Sequence, residues 1–264
     1  MTRTADGASN RTASVIVLMA LCAAVAPWLV AWVLPPMAQP QTYHDFADQR
    51  TLWGIPHALN VLSNLPFVVV GLMGLQALAT RVRFVSRDRG ARAPWIVLFI
   101  GVALTGLGSA YYHLDPNDAT LVWDRLPMAL AFAGLVAGTL ADRAVRLAWM
   151  LLALLGGVGT GAVIYWAVLG NLIPYLVMQA GFIAIAVAAT VMIRSPYSHA
   201  GVLYAAVALY AAAIVSERLD HPINAALGSV VSGHTLKHLF AAAGGYAIYR
   251  MLVMRQPAAA GPSR

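Results

Sequence analysis

The chain reads as an all-α, polytopic transmembrane helix bundle, with a seven-helix core and one additional helix at the N-terminus. Three observations lead there. First, 60% of its 264 residues are apolar and only 10% are charged, whereas a soluble domain carries about 25% charged residues. Second, the apolar residues fall in blocks close to the roughly 20 residues that a spanning helix needs, giving a mean hydropathy of +0.72. Third, the basic residues sit in short segments between the blocks, where they act as topology determinants. The ten-residue alternating segments of a barrel are missing, so helices must carry the polar backbone through lipid.

Eight spans follow in order, at about 15–34, 58–80, 94–113, 122–141, 147–169, 172–193, 200–216 and 231–253. The first follows a polar leader (1–14) and resembles a signal peptide. It is long, however, has only Arg11 close before it, and lacks a small-residue cleavage site ahead of Pro35-Pro36, so it is expected to be retained as an additional helix. The remaining spans form the core, 43–253, joined by short linkers except at Pro35–Pro56 and Glu217–Val230. The tail 254–264 contains QPAAAGPSR and reads as disordered. No internal repeat is present. The lone Cys22 excludes an intramolecular disulfide.

Sixteen of the 17 basic residues are Arg and one is Lys237. With the abundant Ala and Gly, this points to GC-rich coding DNA and a bacterial source. The net charge of +7 does not imply nucleic-acid binding, because the basic residues lie in short loops beside apolar segments. With the N-terminus in the cytoplasm and eight crossings, the cytoplasmic segments hold 13 basic residues (Arg3, Arg11, Arg81, Arg83, Arg87, Arg89, Arg92, Arg143, Arg146, Arg194, Arg250, Arg255, Arg264). The other side holds 4 (Arg50, Arg125, Arg218, Lys237). By the positive-inside rule both termini are cytoplasmic, in an integral protein of the bacterial inner membrane.

That topology gathers chemistry at one face. Ser109 and His113 stand four residues apart at the outer end of the third span and so share a helix face. Asp124 begins the fourth span, and His234 and His238, again four apart, begin the eighth. Ionisable groups within spans are costly unless paired or coordinating. Three imidazoles suit a catalytic zinc, which takes three protein ligands and keeps a fourth position for water, lowering that water's pKa to about 7. Asp124 is the candidate proton carrier and Ser109 a donor to water or oxyanion.

Plainer readings stand beside these. A single His at a helix end is commonly a packed or interfacial residue, an HxxxH pair also serves haem, and Asp124 could simply pair with Arg125, Arg218 or Lys237. His44, His199 and His221 read as loop residues, and Asp115 and Asp118 as solvated turn residues around Pro116.

At these residues the sequence resembles the alkaline ceramidases, within the CREST superfamily of membrane hydrolases. Ser109-Ala-Tyr-Tyr-His113, Trp123-Asp124-Arg125-Leu126-Pro127 and His234-Thr-Leu-Lys-His238 match in order, and Asn60-Val-Leu-Ser63-Asn64 resembles the family's first core helix. The resemblance implies Zn2+ held by His113, His234 and His238 with Asp124 and Ser109 alongside. It also implies hydrolysis of ceramide, or a related N-acyl lipid, to a fatty acid and a sphingoid base. One departure argues against Ca2+ dependence: the family's Glu three residues before the Asn is His57 here. Two other functions stay open, an adiponectin-receptor-like sensor with structural zinc and a haem-binding membrane protein.

Overall fold

The computed structural model describes residues 2–86 and 88–257, without the side chains of residues 2–9. Among these residues the chain forms α1 (Thr2–Val33), α2 (Ala58–Leu62), α3 (Leu65–Thr80), α4 (Ala93–Leu114), α5 (Asp118–Ala141), α6 (Ala148–Leu169), α7 (Ile173–Met192), α8 (Val202–Arg218), α9 (Asp220–Ala226) and α10 (Gly233–Met254), with no β-strand. The all-α bundle is as expected. Arg87 and the end of the expected disordered tail, from residue 258 and including Arg264, lie outside the described residues.

Local chemistry sets the element ends. Pro66 has no N–H to donate and its ring opposes the Leu62 carbonyl, so the second span breaks into α2 and α3. Asn117 caps α5, accepting from the Ala119 and Thr120 amides at 3.0 Å each while the Thr120 hydroxyl accepts from the Asn117 amide, a reciprocal capping box. Ser232 caps α10 by accepting from the Thr235 amide.

Three boundaries differ from the sequence expectation. The leader before residue 15 is helical and continuous with α1; it contains no proline to stop a helix. The Glu217–Val230 linker is largely helical, through the end of α8 and all of α9, which bends away from α8 by 82°. Finally, six segments are long and apolar enough to cross a membrane, or seven if α8 and α9 count as one, against the eight expected. Helix α10 spans 22 residues but is not among them, because His234, Lys237, His238 and Arg250 dilute its apolar content. Six to seven apolar helices are compatible with a multi-pass membrane protein.

Helices α3, α4, α5 and α7 pack in succession, α8 and α10 pack together, and α10 closes back on α3. Helix α1 lies outside this ring against α7 and α6. The closest seam is α4 on α5. A Cβ at Gly101 would meet the Pro127 and Ala131 backbone, one at Gly108 the Trp123 carbonyl, and one at Gly134 the Pro94 and Leu98 backbone. Small residues that let helix backbones touch are the usual means of association in lipid. Here they press the Ser109 end of α4 onto the Asp124 end of α5.

Candidate metal centre

The C-terminal turn of α4 and the N-terminal turns of α10 bring His113, His234 and His238 together. All three are buried, and one ring nitrogen from each lies within 4.8 Å of the others. His113 Nε2 and His238 Nε2 are 3.3 Å apart. Two nitrogens bonded to one tetrahedral zinc at about 2.0–2.1 Å would sit roughly 3.3–3.4 Å apart, so this pair stands at the spacing of two ligands to one ion. His234 Nε2 is buried with no hydrogen-bond partner, an arrangement that is costly for an imidazole serving only to pack. These three residues could hold a metal ion.

The N-x-x-S-N segment braces the trio. Ser63 Oγ donates to the Asn60 carbonyl at 3.1 Å and lies 2.8 Å from His238 Nδ1. With its one proton on that carbonyl, the hydroxyl accepts from Nδ1–H, which leaves the His238 Nε2 lone pair facing His113. An outer hydrogen bond that fixes tautomer and ring orientation is what metal-ligating histidines commonly have. Asn60 Oδ1 accepts from the Ser232 and Thr235 hydroxyls, locking α2 to the start of α10. Asp220 performs a similar task from α9: it accepts from the His234 amide at 2.7 Å and from the Ala47 amide at 2.9 Å.

Asp124 and Ser109 are both buried, and the Ser109 hydroxyl lies within hydrogen-bond reach of the carboxylate. The nearby cations are committed elsewhere. Lys237 pairs with Glu217. Arg125 donates to Gln39 Oε1 at 2.7 Å and lies over the Trp166 and Tyr175 rings. No ion pair among the described residues includes Asp124.

The family model for Ceramidase matches residues 53–262, most of the chain and all of these side chains. The chain belongs to the Ceramidase family. It is accordingly a hydrolase of the ceramide amide bond, with a lipid as substrate. No curated protein matches it in a sequence search.

In this ceramidase, several residues around the histidines escape sequence reasoning. Phe46, from the segment between α1 and α2, is buried with its ring 4.6 Å from His113 and 4.5 Å from His234, forming an apolar cover. His44 is not a free loop residue: it sits in a 3-10 turn, Gln41–His44, 2.8 Å from the Tyr112 hydroxyl and 3.1 Å from Asp118. Asp118 is thereby more than a solvated turn residue. His221 belongs to α9 and reaches the Asp45 carbonyl, while His199 stays in a turn, as expected. Tyr43 donates to Glu217 at 2.9 Å. Burial, with Glu217 alongside, pushes its phenol well above the ordinary range, so it remains a donor. His57 Nδ1 donates to the Asp48 carbonyl at 2.8 Å. The Asp48 carboxylate itself accepts from Arg50 and the Leu59 amide.

Proposed function

We propose that this ceramidase is a zinc-dependent amidase of the membrane, cleaving ceramide or a related N-acyl lipid to a fatty acid and an amine. The observation that carries the reading is the buried histidine trio, two of whose Nε2 atoms stand 3.3 Å apart; a buried carboxylate, Asp124, lies outside every ion pair among the described residues. Zn2+ suits three imidazoles and, when bound, supplies a polarised carbonyl and a water acidic enough to ionise near neutral pH.

The chain's own residues do the rest. His113, His234 and His238 hold the ion, and Ser63 fixes the His238 ring. Asp124 takes a proton from the attacking water and delivers it to the nitrogen as the C–N bond breaks, leaving the water oxygen on the fatty acid. Ser109 orients the water or the developing oxyanion, and Phe46 excludes bulk solvent from the reacting atoms. The spacing of the rings, too tight for a porphyrin plane between them, favours a single ion over haem. An uncommitted Asp124 favours a hydrolase over a sensor. The 13-to-4 distribution of basic residues supports both termini in the cytoplasm and the site towards the opposite face.

Metal analysis of the purified protein, with product detection from a panel of N-acyl lipids, tests the reading. About one zinc per chain is expected, together with fatty acid released from at least one N-acyl lipid. Replacing any one of the three histidines by Ala should remove most of the metal. Metal content unchanged in all three variants would overturn the site.

A further inference from the structure

Asp124 and Asp142 stand at opposite ends of α5, about 27 Å apart at 1.5 Å per residue. At the Asp142 end, away from the histidines, a cavity of about 590 Å³ opens between α1, the ends of α5 and α7 and the segment before α4. Its lining includes Arg143, Arg194, Ser86, Ser195 and one carboxylate, Asp142. That carboxylate is already matched by Arg255, which donates to it at 2.9 Å from a buried position between the Phe84 and Tyr197 rings.

Arg143 is held in place without an anion. Its Nε donates to the Ile193 carbonyl at 2.7 Å and its Nη1 to the Thr139 carbonyl at 2.6 Å, while Nη2 is buried with no partner. No ion pair among the described residues includes Arg143 or Arg194. Two guanidinium groups outside any ion pair among the described residues therefore line the cavity, and its one carboxylate, Asp142, is paired with Arg255. Arg143 is oriented by backbone carbonyls within the cavity wall, and Arg194 stands exposed beside it.

We propose that this cavity binds the phosphate group of an anionic phospholipid, with Arg194 donating to its oxygens and Arg143 adding positive charge to its wall. Guanidinium forks match phosphate geometry, and the volume suits a head group. The cavity lies at the helix ends, the depth at which lipid head groups lie. Exposed Arg81, Arg83, Arg89, Arg92, Arg146 and Arg250 at the same end would concentrate anionic lipid there.

The test titrates full-length protein in neutral detergent with phosphatidylglycerol, phosphatidylcholine or inorganic phosphate, reading the thermal midpoint. Phosphatidylglycerol should raise the midpoint and phosphatidylcholine should not. Arg194→Gln, whose side chain is exposed, should shift the phosphatidylglycerol titration by about fivefold. Arg250→Gln, which removes the same charge outside the cavity, should leave it in place. Equal responses to the two lipids, or equal shifts in the two variants, would reduce the effect to general surface attraction and overturn the site. Protection by inorganic phosphate alone, with nothing added by lipid, would reassign the ligand to a soluble phosphate compound and overturn the lipid assignment.

Discussion

At the scale of single residues, the proposed site divides into groups that would touch a metal, groups that aim those ligands and groups that would move protons. Ser63 belongs to the second kind, so Ser63→Ala should keep the fold but weaken metal affinity by about 10–100-fold. Competition with a chelator of known affinity reads this directly, and unchanged affinity would confine Ser63 to packing. Asp124→Asn should retain the metal while turnover per bound zinc falls by about 10²–10⁴, because a carboxamide cannot shuttle a proton. Near wild-type turnover would remove Asp124 from the mechanism. The histidine trio was legible in sequence because i, i+4 spacing and span order put the three rings at one end of the bundle. Phe46 and His44 were not, since they come from a segment without periodicity whose path depends on Asp220 and Asp118, both distant in the chain.

Helices bring their own expectations. The α4–α5 seam needs Gly108, where any side chain would press on the Trp123 carbonyl. Gly108→Ala should force the two helices apart, cost about 1–3 kcal/mol as overpacking does, and separate Ser109 from Asp124. A lower thermal midpoint together with reduced turnover is expected, and an unchanged midpoint would mean that the seam yields easily. Just past the other end of α5, burial raises Asp142 to about 6, with Arg255 offsetting only part of that effect. The folded protein then keeps a proton that the unfolded chain, with a pKa of about 3.9, releases. Stability should therefore fall as pH rises from about 4 to about 6 and level off above that window. Asp142→Asn should flatten this slope, and a slope that persists in the variant would assign the titration to another group. Hydropathy alone located most helices, but the α2–α3 break and the α8–α9 bend depend on Pro66 and on polar tertiary bonds that no apolar count reveals.

For the whole molecule, α1 packs on the α6–α7 flank rather than at the histidines. Deleting residues 1–33 should leave one metal per chain, and metal loss in the truncated protein would make α1 part of the core. Sidedness is open to cysteine labelling once Cys22 is replaced by Ser. Asp118→Cys should react from the non-cytoplasmic side and Arg146→Cys from the cytoplasm, and the reverse pattern would invert the orientation. The low apolarity of α10 also bears on how the protein is made. A helix carrying Lys237 and two interior histidines gains little by entering lipid alone, and it leaves the ribosome after α2, α3 and α8. Its partners α2, α3 and α8 are by then already in the bilayer, offering Asn60 of α2, Ser63 just after it and Glu217 of α8 as polar contacts. The translocon should therefore release α10 against these neighbours rather than into lipid, so that its insertion after them completes the histidine trio. A chain stalled before residue 233 would be a membrane protein already, but not yet an enzyme.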